Sequence, residues 1–164
     1  MRGRTEIREK IFIQFALVTV FAAALGYAAA MDGRYQKVRR GIWLWAGIAA
    51  LSLFCIRLMD GQGDFWRISK EILVFILLQF LFFTKMYGRA DCFAFSCCAI
   101  FLGAFGGGIQ VYLLHMLLSI GILGMVQLFR RNVDRHGNLK EPKAFIPYIS
   151  VALLIMILCF LQNR

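Results

Sequence analysis

The chain has 164 residues, of which 60% are hydrophobic, and its mean hydropathy is +0.69. A water-soluble domain of this size has too little polar surface left to cover so much apolar material, whereas lipid accepts an apolar exterior. The net charge of +10 does not point to nucleic acid, because the basic residues sit in short clusters between apolar runs: Arg34, Lys37, Arg39 and Arg40, then Arg130, Arg131 and Arg135, then Lys140 and Lys143. Membrane topology and anionic headgroups select that placement.

Six apolar stretches follow one another, at 11–30, 41–58, 71–86, 92–108, 109–129 and 144–161. Most approach the roughly 20 residues that cross a bilayer core, and the third is short unless flanking residues join it. The runs are continuous rather than alternating, which favours helices over a barrel. The expectation is an all-α bundle of about six transmembrane helices, forming one domain over residues 1–164. The first stretch, with its basic start and Ala28-Ala29-Ala30, imitates a signal peptide. Its apolar run exceeds an h-region of about 7–15 residues, so it reads as a retained span. The fourth and fifth stretches meet at Gly106-Gly107-Gly108, a turn signal.

With the N-terminus outside, the loops 31–40, 85–91 and 130–143 are cytoplasmic and hold 11 of the 19 basic residues. The opposite tail (Arg2, Arg4, Arg8 and Lys10, interrupted by Glu6 and Glu9) reads as an interfacial amphipathic segment. The five cysteines, Cys55, Cys92, Cys97, Cys98 and Cys159, form no C-x-x-C pair and read as small apolar residues.

Acidic residues beside apolar spans are costly and invite a functional question. Asp32 stands just past the first span, in Ala30-Met31-Asp32-Gly33-Arg34, and Asp91 at the start of the fourth, in Tyr87-Gly88-Arg89-Ala90-Asp91-Cys92. Counting spans puts both on one membrane face. Two carboxyls at one depth can share a proton, one acting as base on a water and the other as an acid toward a carbonyl. The plainer alternative is two solvated edge residues paired with Arg34 or Arg89. Gly61-Gln62-Gly63-Asp64, with Asp60 beside it, lies on the other face and reads as a loop.

Around these residues the chain resembles the type IV prepilin peptidase family, the GxGD-type aspartyl proteases that include archaeal preflagellin peptidases. Gly88-Arg89-Ala90-Asp91 is similar to the family's G-x-A-D motif, with Gly103 twelve residues on in the next helix. Asp32 and the basic run to Arg40 resemble its first motif, and Pro142-Lys143-Ala144-Phe145-Ile146-Pro147-Tyr148 a segment before its last span. The resemblance covers nearly the whole chain. It implies catalytic Asp32 and Asp91 with supporting Gly88 and Ala90, no metal or organic cofactor, and a prepilin-like substrate cut at the cytoplasmic membrane face. Departures are Gly41-Ile42-Trp43 where Pro-Asn is usual, Phe93 where a lysine is usual, and Ala90 for a glycine. The zinc-binding C-x-x-C segment of bifunctional members is absent, so N-methylation is not expected. The lost lysine also fits a relative that has given up catalysis and serves in assembly. A six-span binding subunit of a transporter is the other alternative.

The remaining polar residues read as structural. His115, Gln79 and Gln14 are expected to bond neighbouring helices. Trp43, Trp45 and Trp66 are expected at the membrane interface. Gly103 with Gly107, and Ala22 with Gly26 and Ala30, read as small-residue faces that bring spans four and one together.

Overall fold

The computed structural model describes residues 2–61, 64–133 and 144–162. Arg135, Lys140, Pro142 and Lys143 of the last basic loop lie outside these residues, as do Gln62 and Gly63, and the side chains of Arg130 and Arg131 are likewise not described.

Among the described residues every regular element is helical: α1 (Arg2–Tyr35), α2 (Arg40–Met59), α3 (Phe65–Leu78), a π-helical turn (Gln79–Phe83), α4 (Thr84–Tyr87), α5 (Arg89–Ala104), α6 (Ile109–Val133) and α7 (Ile146–Gln162). The all-α expectation holds. Three helices are long and apolar enough to cross a membrane, at Arg8–Tyr35, Arg40–Met59 and Ile109–Leu128, and Ile146–Cys159 is a shorter apolar helix. The short third stretch gains length because α3 runs through the π-turn into α4 without a break.

α1 and α2 lie antiparallel, tied at one end by Lys10, whose Nζ is 2.9 Å from an Asp60 oxygen. Gln14 donates to the other oxygen at 3.4 Å, the interhelical bond expected of it. The buried stripe of α1 is Phe21, Leu25, Ala28 and Asp32, spaced by four, three and four residues on one helical face. Phe21 stacks on Phe101 of α5 at 4.4 Å. α5 is the central helix. Its small residues Ala94, Cys97, Cys98, Ala99 and Gly103 are all buried, which lets α2 and α3 approach it closely. Cys92 is buried too, whereas Cys55 and Cys159 are exposed, and all five cysteines are free.

Two packing expectations need correction. Ala22, Gly26 and Ala30 point outward, because the bulky stripe beside them takes the packed face. Gly107 lies past the end of α5, so it forms no pair with Gly103 on a helix. Gly103 itself fits the close-approach reading: a Cβ there would stand 2.7 Å from Ile72 Cδ1 and 3.0 Å from Tyr112 Oη. Among the tryptophans, Trp45 and Trp66 are exposed, but Trp43 is buried against the core and is no interface anchor.

The helix ends are closed by local backbone devices. Past α5, Gly106 at φ +81° lets Gly107 N–H reach Leu102 O and its own N–H reach Gly103 O, the paired bonds of a Schellman cap. α1 ends on the simpler left-handed cap, with Gln36 at φ +52° donating to Asp32 O at 3.0 Å. A non-glycine residue in that region costs about 1–2 kcal/mol. Gln36→Gly should therefore stabilise the protein by roughly 0.5–1 kcal/mol after the added freedom of the unfolded chain is subtracted. A rise of a few degrees in the thermal unfolding midpoint in detergent would show it; an unchanged or lower midpoint would contradict it.

Candidate functional site

Asp32 occupies the last turn of α1 and is therefore inside the helix rather than just beyond it. Its side chain is 9% exposed, and Oδ2 accepts the backbone N–H of Ile146 at 3.1 Å. That bond finishes the start of α7. Ile146 N–H goes to Asp32, Pro147 has no N–H to satisfy, and Tyr148 N–H turns back to Phe145 O at 3.0 Å. A carboxylate there also faces the positive end of the helix dipole.

Asp91 is the third residue of α5, one residue ahead of the apolar run from 92, and is 8% exposed. Gly88 opens the helix at φ +99°, a conformation that suits glycine; its carbonyl accepts Cys92 N–H at 3.3 Å. A Cβ at Gly88 would lie 3.8 Å from Asp91 Oδ2, so the glycine is required by its backbone angle rather than by lack of room. No hydrogen bond to the Asp91 carboxyl is seen among the described residues. Burial, and next the nearby Asp32 charge, push its pKa up from 3.8 to about 7. The charge of Asp32, 59 positions away in sequence, thus acts on Asp91 at one end of the bundle.

Ion pairing with Arg34 or Arg89 does not occur; the ion pairs among the described residues are Lys10–Asp60 and Arg67–Glu71. Arg34, Lys37, Arg39, Arg40, Lys85 and Arg89 are exposed around the same end. Asp60 and Asp64 belong to the other end, since Lys10 and Asp32 are separated by roughly 33 Å of α1 at 1.5 Å per residue. Asp64 caps α3, accepting Arg67 N–H at 3.4 Å, which gives the turn reading of that segment a physical basis.

Beside Asp91 lies a compact polar cluster. Gln79 is 1% exposed; its Nε2 donates to Met116 Sδ at 3.4 Å, and its Oε1 accepts the Tyr87 hydroxyl at 2.6 Å. The carbonyls loosened by the π-turn are taken up locally: Cys92 Sγ donates to Gln79 O at 3.3 Å and Thr84 Oγ1 to Phe80 O at 2.9 Å. Cys92 thereby fastens the first turn of α5 to the π-turn. His115 also joins helices, its Nε2 3.0 Å from Ile149 O on α7, as expected for a structural histidine. Tyr87 and Glu71 carry roles that sequence reading missed. Glu71 Oε2 accepts Ile109 N–H at 2.7 Å and so caps α6 from α3; a Cβ on Gly108 would stand 2.6 Å from that oxygen. An acid opening the otherwise apolar 71–86 stretch was the available signal.

Searches with models of known families, with curated proteins and with solved structures find no match to this chain.

The raised pKa of Asp91 has a signed consequence for stability. Between about pH 4 and 7 the unfolded chain ionises this carboxyl while the folded protein keeps it protonated, so stability declines as pH rises and the loss is complete above 7. Asp91→Asn removes the burden. Its unfolding midpoint relative to the parent should climb from pH 4 to pH 8, by the equivalent of about 2–4 kcal/mol. A midpoint difference that stays flat with pH would refute the assignment.

Proposed function

We propose that the chain is a six-span integral membrane protein and an aspartyl endopeptidase of prepilin-peptidase type, removing the leader of a prepilin-like membrane protein at the cytoplasmic face. The observation that supports this reading is that two buried carboxyls, from α1 and α5, lie at one end of the helices without ion pairs among the described residues, the Asp32 charge adding to burial in raising the Asp91 pKa. Asp60 and Glu71 are ion-paired, with Lys10 and Arg67, and Asp64 caps α3; Asp91 does neither among the described residues, and Asp32 caps α7 without an ion pair.

The chemistry needs one proton on the pair. Asp91, with its raised pKa, holds it near neutral pH, and Asp32 takes a proton from a bound water. The water oxygen attacks the scissile carbonyl carbon as Asp91 protonates the carbonyl oxygen. Collapse of the tetrahedral intermediate breaks the C–N bond, the amine leaves with the proton held by Asp32, and the hydroxyl proton returns to Asp91. The Ile146 N–H engages one oxygen of Asp32 and leaves the other open to the water. Phe93, in the family's lysine position, points away from the carboxyls, 43% exposed and edge-on to Phe80 at 5.1 Å. Its substitution leaves the polar groups at the pair untouched. The lipid bilayer and a membrane-anchored substrate are the implied partners, with no nucleic acid.

One observation favours a second reading, an assembly protein without catalysis: the bond to Ile146 gives the Asp32 carboxylate a structural task of its own. Co-expression with a prepilin-like protein, with leader removal followed by gel shift, separates the two. Asp32→Asn keeps an acceptor for Ile146, so the fold should persist while processing is lost; Asp91→Asn should also abolish it, and Asp64→Asn should leave it intact. With the parent protein the rate should fall as pH rises through about 7, where Asp91 loses its proton. A chain that processes no prepilin-like protein, or an Asp91→Asn variant that still cuts, sinks the protease reading.

A further inference from the structure

The helices that bear the two carboxyls are held together at this end largely by their neighbours. α1 packs chiefly on α2 and α7, and α5 chiefly on α2 and α3, with a lighter contact to α7. α2 supports both helices, and Asp32 is in addition fixed to the start of α7 by the Ile146 N–H, so its position relative to Asp91 also depends on what stands between α5 and the start of α7. Three aromatic rings stand there. Phe95 lies one helical turn after Asp91 on the same buried face of α5, and Phe145 immediately precedes Ile146, whose N–H holds Asp32. The Phe95 and Phe145 rings meet edge to face at 5.7 Å, and Tyr87 closes the group at 5.6 Å from Phe95 and 5.5 Å from Phe145. Tyr87 is fixed in turn, its hydroxyl on Gln79 at 2.6 Å and its ring on Phe83 at 5.7 Å. A chain of contacts results, running from Asp32 through Ile146 and Phe145 to Phe95 on the helix that bears Asp91, with Tyr87 as its brace.

We propose that the Tyr87, Phe95 and Phe145 rings form a spacer that sets the distance between the Asp32 and Asp91 carboxyls, with Tyr87 and Phe145 as positioning residues of the pair. The inference rests on reading the two aspartates as a working pair, but its test does not require proteolysis. Rings suit this task because close-packed aromatics resist compression and are lost with a cavity when truncated. Truncating a ring lets α7 settle elsewhere on α5, and the carboxyl held by Ile146 moves with it.

The full-length protein in detergent is reacted with a hydrophobic carbodiimide, which modifies protonated carboxyls, over a range of pH, and labelling of Asp91 is quantified by peptide mass spectrometry. The midpoint of labelling is read with and without Asp32→Asn; the shift between them measures carboxyl–carboxyl coupling, since desolvation cancels in the difference. Tyr87 and Cys92 are the other ionisable side chains facing Asp91, and a phenol and a thiol carry no charge from acid to neutral pH. In the parent protein Asp32→Asn should lower the midpoint by about one pH unit. In Phe145→Leu and Tyr87→Leu backgrounds the shift should fall below half of that, whereas Tyr87→Phe, which keeps the ring, should retain most of it. If the leucine variants do not fold, as judged by loss of a cooperative melt, the same cycle on Phe145→Met decides. An undiminished shift in Phe145→Leu overturns the spacer and leaves the pair standing. No shift in the parent overturns the pair and the spacer with it.

Discussion

A helix bundle must satisfy the free N–H and C=O groups at each buried helix end and irregularity. Some of the solutions found here are local, as at Gly106, Gln36 and Asp64, and others recruit a neighbouring element. The loosened carbonyls of the π-turn go to Thr84 and Cys92, the start of α6 goes to Glu71 of α3, and the start of α7 goes to Asp32 of α1. The last of these shapes the candidate site most. It places a carboxylate from the first helix against the beginning of the last, and it does so at the depth where α5 begins with its own acid.

The two aspartates are consequently unequal. Asp32 has a donor, and Asp91 has none among the described residues while lying in a setting with little water. Burial with no donor is the condition under which a carboxyl keeps its proton, and the neighbouring charge acts in the same direction. The bond to Ile146 on one side and burial without a donor on the other thus give the two carboxyls different surroundings.

Much of this was readable from the sequence, and the limits have physical causes. Apolar run length identified the helices, with boundaries displaced where polar residues continue a helix past its apolar part: α1 runs from Arg2 to Tyr35 around the stretch 11–30, and α3 begins at Phe65, ahead of 71. Span counting put Asp32 and Asp91 at one end and Asp60 and Asp64 at the other. Small residues misled, because Ala22, Gly26 and Ala30 form a regular stripe but so do Phe21, Leu25 and Ala28, and rings fill space that alanines cannot. Trp43 went to the core because its face of α2 meets the alanine-rich α5. Glu71 and Tyr87 were missed for a different reason. Their partners, Ile109 and Gln79 with Phe145, come from other helical segments, and single-sequence periodicity carries no information about such contacts.

The helical repeat also bears on the position where this chain departs most from the resembled motif. A residue two places along a helix is turned by about 200°. Asp32 and Asp91 face inward, so the side chains at Arg34 and Phe93 must face outward, and both are exposed. The arginines and lysines of this end gather on that outer rim, where they neutralise neither carboxyl. A basic residue at position 93 would join the rim rather than the pair, and the phenylalanine found there instead packs on Phe80 of the π-turn. The departure therefore alters what surrounds the mouth of the site. It leaves the two inward carboxyls, the bond to Ile146 and the glycine that opens α5 as they are.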